Sequence, residues 1–284
     1  MIGVYILLDD RSAAQLFTSQ AINKIVSGDY SFLQQLVHEY VIPRFSPVKV
    51  SDVFELTYKK SIKEYKGEYY YKNVIANKLF LKNHYNSNAT VVSEFRVGSN
   101  KADFVIVNGH SVCYEIKTER DTLKRLPEQI KTFSKVFDRV YVVCSNSHLS
   151  NVFEMTPDNI GIIELNKNGT LKEVKKSLSN VDVDCELIIS SLRKNEYVYI
   201  AERILGNPLH SSNMDIFLDC LSIFKNSSPN ELKKLYREAL KKYRKSDFDF
   251  LKTLPTSLIN SAISFKMTPF NKERLVEKLA EYIY

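Results

Sequence analysis

Asp103, Glu115 and Lys117 stand in the spacing D-x11-E-I-K. Two carboxylates and a lysine are the groups that hold a hard cation and offset phosphate charge, because magnesium takes oxygen ligands and leaves room for water and phosphate. Residues two apart on a strand share a face, so Glu115 and Lys117 point the same way. The run VCYEIK is apolar around Glu115, and a buried carboxylate is costly unless it is paired or metal-bound. Spacing alone does not single out this trio. Glu-x-Lys recurs at Glu64-Tyr65-Lys66, Glu173-Val174-Lys175 and Glu231-Leu232-Lys233, and Asp52 and Asp219 precede Glu64 and Glu231 by the same gap. Glu64 and Glu231 lie in polar or helical stretches. Glu173 is the serious rival, in a strand-like segment with no hydrophobic crossover helix close behind it.

The elements that must position these groups are legible from periodicity. A helix over Glu68–Lys82 carries the stripe Tyr71, Ile75 and Leu79, which places Glu68 on its buried face. Three strand signals follow, ATVVSEFRV with Glu94, ADFVIV and SVCYEIK, the last two separated by Asn108-Gly109, a hairpin turn. A two-residue loop pairs 107 with 110 and turns Glu115 away from Asp103. A three-residue loop pairs 107 with 111 and sets 103 opposite 115, so a shared site requires the odd loop or a bulge. A helix is expected from Asp121 to Phe137, with Pro127 tolerable only close to its regular start and Gln129 bordering its buried face. Asp121 and Arg125 read as an ion pair at the helix start, and His110 and His148 as ordinary polar residues. RVYVVCS, IGIIEL and TLKEVKK complete the strands.

This order implies an α/β fold, a mixed central sheet flanked by helices, over residues 67–180. Residues 1–66 read as helical through AAQLFTSQAINKIV and FLQQLVHEYVI, and residues 181–284 as helical through 184–205, 213–225, 229–245 and 271–283. The helix 229–245 has one apolar stripe and seven cations: Lys233, Lys234, Arg237, Lys241, Lys242, Arg244 and Lys245. Such a row can track a phosphate backbone or simply face water. The tyrosines form no recognised RNA-binding signature.

Composition agrees with a globular chain of 284 residues that is 44% hydrophobic. The net charge of +7 favours an anionic partner, nucleic acid above all. Four scattered cysteines without a CxxC exclude a zinc ribbon and point to a reducing cytoplasm. No apolar run spans a bilayer, so no membrane partner is expected. The opening MIGVYILLDD lacks the basic lead-in and length of a signal peptide.

The trio and its elements resemble the PD-(D/E)XK nuclease superfamily. TERDTLKRLPEQIKTFSKVFDRVYVVCSNSH resembles an uncharacterised bacterial branch of it and, more loosely, the MmcB-like DNA repair proteins. The resemblance covers about 68–195. It implies a restriction-endonuclease-like core with helical additions at both ends. It further implies a magnesium-dependent (endo)nuclease acting on DNA, with manganese able to substitute. Asp103, Glu115, Lys117 and Gln129 match its catalytic positions, and Glu68, Asp103, Glu115 and the carbonyl of Ile116 its metal ligands; the proline of the motif name is replaced by Ala102. Alternatives of other classes are a non-catalytic nucleic-acid-binding protein of the same fold and a toxin or defence module. A homodimer is compatible with all of them.

Overall fold

The computed structural model describes residues 13–39, 47–84 and 88–283. The opening segment, the end of FLQQLVHEYVI and Pro43 lie outside the described residues. The chain forms two compact units, one of residues 1–82 and 247–284 and one of residues 83–246.

The first unit begins with α1 (Ser19–Ser27) and α2 (Ser31–Glu39). The Thr18 hydroxyl accepts from the Ala21 amide to cap α1. A two-residue strand, β1 (Val48–Lys49), leads into α3 (Val50–Tyr65). Helix α4 (Glu68–Ile75) continues through a π-helical turn, Ala76–Leu81, to Lys82–His84. The Asn77 side chain donates to the Asn73 carbonyl inside that turn.

The second unit is built on a six-stranded mixed sheet. Its strands are β2 (Thr90–Val97), β3 (Asn100–Asn108), β4 (His110–Lys117), β5 (Arg139–Ser145), β6 (Gly161–Leu165) and β7 (Leu171–Lys175), hydrogen-bonded in that order. β2, β3 and β4 are antiparallel, β4–β5 and β5–β6 parallel, and β7 closes the sheet antiparallel to β6. Parallel neighbours need crossovers. These are α5 (Leu126–Ser134) and α6 (Leu149–Met155). Helices α7 (Cys185–Ser191), α8 (Lys194–Leu205), α9 (Ile216–Lys225) and α10 (Pro229–Tyr243) follow. One apolar cluster joins Val105, Cys113, Val140 and Val142 of the sheet to Ile130 and Phe133 of α5 and to Tyr236 and Leu240 of α10. The four cysteines are free thiols. The chain then returns to the first unit as α11 (Phe248–Thr253), α12 (Ile259–Ser264), α13 (Pro269–Ala280) and β8 (Tyr282–Ile283), which pairs with β1.

The expected mixed α/β sheet flanked by helices is present. Several boundaries differ. The crossover helix starts at Leu126, not Asp121, because the Asp121 carboxylate accepts from the amide and hydroxyl of Thr118, both at 2.7 Å, and Pro127 sits in the first helical turn. Asp121 is thus turned to Thr118 rather than paired with Arg125. The segment 184–205 is two helices, broken at Leu192-Arg193, and 271–283 ends in a strand rather than a helix. No helix of the described residues is long and apolar enough to cross a membrane.

Candidate functional site

The register decides whether the acids can meet. Val107 pairs with Ser111 and Asn108 with His110, so Gly109 alone turns the hairpin, at a φ of +68° that glycine adopts without strain. This is the odd register, and continued one pair beyond Phe104–Tyr114 it sets Asp103 opposite Glu115. Glu115 and Lys117 are 2% and 6% exposed, on the strand face that also carries Cys113.

There the ammonium of Lys117 donates to Glu115 Oε1 at 2.8 Å and to Gln129 Oε1 at 3.0 Å. Gln129 is thus drawn to the pair, one turn into α5. Asp103 turns one carboxylate oxygen to the backbone and accepts from the Ile116 amide at 2.7 Å. Burial pushes the Glu115 pKa above its ordinary value, and the Lys117 charge works against that rise. Glu115 Oε2 is buried and has no partner among the described residues. An orphaned, buried carboxylate oxygen is of the ligand type that a hard cation takes; Lys117 already neutralises the other oxygen.

Of the other expected residues, Glu94 brings a carboxylate oxygen within 4.8 Å of one of Asp103. Glu68 opens α4 in the first unit, exposed and ion-paired with Lys72 four residues on. Glu94 pairs with Lys101 and holds a φ of +57° inside β2, a left-handed conformation uncommon for a side chain larger than hydrogen. Glu173 accepts from the Tyr141 hydroxyl at 2.6 Å, and Lys175 donates to the Thr156 and Pro157 carbonyls, so the rival Glu-x-Lys serves the packing around β7. His110 is exposed. His148 is half-buried, and its Nε2 has no partner among the described residues.

The basic helix divides in two. Lys233 is buried and donates to the Asn180 carbonyl, and burial pushes its pKa down. Arg237 grips Asp138 through both carboxylate oxygens, at 3.1 and 3.0 Å. Arg244 makes two 2.7 Å bonds to Glu196, donates to the Ser191 carbonyl and stacks over Phe95. Lys233, Arg237 and Arg244 therefore brace the fold, whereas Lys234, Lys241, Lys242 and Lys245 make no ion pair among the described residues. Spacing carries the signal for this division. Lys233, Arg237 and Arg244 share their helical stripe with Leu240, which is buried, while Lys234, Glu238, Lys241 and Lys245 occupy another. Lys124 and Arg125 add two exposed cations at the entry to α5, where no sequence pattern marks them as a pair.

The chain is similar to known phage proteins. The family described as "Bacteriophage P4 protein cII" matches residues 61–265. Protein cII of Enterobacteria phage P4 is 27% identical over 177 residues, which cover 59% of this chain and 65% of that relative. The chain thus spans just under two thirds of the relative's length. No solved structure matches. These findings overturn the PD-(D/E)XK assignment, and with it the expected nuclease function, the magnesium-dependent (endo)nuclease class and the hydrolase description. Glu-x-Lys is frequent in so charged a chain, and here Lys117 is ion-paired to Glu115 inside the fold and hydrogen-bonded to Gln129.

Proposed function

The chain belongs to the bacteriophage P4 protein cII family, and we propose that it is a nucleic-acid-binding protein, with DNA favoured, that binds without cleaving. One observation carries the reading. α10 and the two residues after it turn Lys233, Arg237 and Arg244 to acceptors inside the fold and leave Lys234, Lys241, Lys242 and Lys245 without anionic partners among the described residues. Lysines so placed retain mobile counterions, and exchanging these for phosphates drives association through counterion release. The net charge of +7 acts in the same direction at longer range.

The order helix, three antiparallel strands, helix and parallel strand supports a restriction-endonuclease-like core used as a binding scaffold. A magnesium or manganese ion belongs to this proposal: Glu115 Oε2 and Asp103 would hold it, and it would supply positive charge for a phosphate oxygen. Millimolar magnesium chloride is expected to raise the melting temperature of the wild type and to leave that of Glu115→Gln unmoved; equal shifts in both would remove the ion from the account.

The binding test targets the outward lysines alone. The triple substitution Lys234→Ala, Lys241→Ala and Lys245→Ala is expected to weaken binding to every DNA sequence alike. The slope of log K against log salt should become shallower by about 0.9 for each phosphate that is no longer neutralised. Arg244 is left intact, because its removal would damage the fold. An unchanged slope, measured by fluorescence anisotropy, would return the helix to a merely solvated role.

A further inference from the structure

Helices α8 and α10 bring two tyrosines together at the surface. Tyr199 and Tyr243 meet edge to face, with ring centroids 5.8 Å apart and planes at 76°. Both are partly exposed. The ammonium of Lys242 lies 4.2 Å from the centroid of Tyr199 and 5.3 Å from that of Tyr243. Glu238, one turn back on α10, would be the ordinary helical partner for Lys242, yet the two form no ion pair among the described residues. The lysine rests on the rings instead. Arg203, one turn beyond Tyr199 on α8, is exposed, as is Lys245 just past α10.

We propose that Tyr199 and Tyr243 form a stacking platform for the bases of a single-stranded nucleic acid, with Lys242 as its movable cover. This rests on the reading of the chain as a nucleic-acid-binding protein and names the strand state it prefers. An exposed cation–π contact is worth only about 0.5–1 kcal/mol, so a base displaces Lys242 at little cost. The released ammonium then pairs with the phosphate of the stacked nucleotide, and Arg203 and Lys245 flank the strand. Every base has a π face, so such a platform tolerates any sequence. A duplex keeps its bases stacked inside and gains nothing from the rings.

The test uses the full chain, a fluorescein-labelled fifteen-residue oligo-dT, its oligo-U counterpart and a DNA duplex of equal length. Tyr199→Leu and Tyr243→Leu retain apolar packing but lose the aromatic face. Each is expected to weaken single-strand binding about tenfold, within the range of base–aromatic stacking, and to leave duplex binding unchanged. Tyr199→Phe and Tyr243→Phe keep the ring and should keep the affinity. The oligo-dT and oligo-U arms separate a DNA from an RNA ligand, and weaker binding in either supports the platform. Unchanged single-strand affinity in both leucine variants would overturn the platform and leave duplex binding standing. Equal weakening for single strand and duplex, or weakening in the phenylalanine variants too, would overturn it in favour of a structural role for the pair. A wild type that binds no strand of either kind would overturn the platform together with the reading it rests on.

Discussion

Glu196→Ala is expected to destabilise the second unit by roughly 3–5 kcal/mol, the cost of removing one partner from a buried ion pair. Glu196 is fully buried at the first turn of α8. Its carboxylate receives both arms of the Arg244 guanidinium and also caps the Arg193 amide at 2.7 Å. Truncation leaves the guanidinium, 11% exposed, with the Ser191 carbonyl and the Phe95 ring but no acid among the described residues. It also leaves an unsatisfied helix-start amide. Urea unfolding followed by circular dichroism measures the change. The double replacement Glu196→Met with Arg244→Met should recover much of it, because apolar residues of similar volume tolerate such a site better than one stranded charge. A single variant as stable as the wild type would show that the pair contributes nothing.

Asp138→Ala should cost a similar ~3–5 kcal/mol for the same physical reason. Asp138 opens the path into β5 and collects four bonds on its carboxylate. The amide and hydroxyl of Ser111 donate at 2.7 and 2.9 Å, and Arg237 donates to both oxygens. One acid therefore ties the start of β4 to α10. Asp138→Asn is the discriminating control: it keeps the size and an acceptor oxygen but loses the charge, so it should fall between the wild type and Asp138→Ala. Equal melting midpoints for all three would contradict the network.

The strands are the most legible part of this chain. RVYVVCS is β5 residue for residue, and the apolar runs around Asn108-Gly109 are β3 and β4, because a buried strand must be apolar and a tight hairpin needs a residue that tolerates positive φ. Register is legible only as a pair of alternatives. The choice falls to one turn residue, which decides whether Asp103 and Glu115 share a face. The helix start at Leu126 is hidden because Asp121 can cap its own turn as readily as it can open a helix. α6, α11 and α12 are short and carry too few periodic residues to announce themselves. At the site, residue types are legible and roles are not. Lys117 and Glu115 come together as expected, but a buried Glu–Lys pair serves an ion-pair network as readily as a reaction, and the family match assigns the chain to the phage cII proteins. Tyr199 and Tyr243 stand 44 positions apart, beyond any local pattern. Only the packing of α8 against α10 makes them neighbours.

On this reading the protein holds nucleic acid through the surface lysines Lys234, Lys241, Lys242 and Lys245, which pair with no acid among the described residues. The most direct test is the affinity of the wild-type chain for a fluorescein-labelled DNA oligonucleotide, single-stranded or duplex, between about 50 and 200 mM salt, the range in which counterion release shows most clearly. Measurable binding is expected, with log K falling linearly with log salt and no cleavage of the oligonucleotide in magnesium or manganese. Absence of binding at the low end of that range, or an affinity indifferent to salt, would contradict this reading.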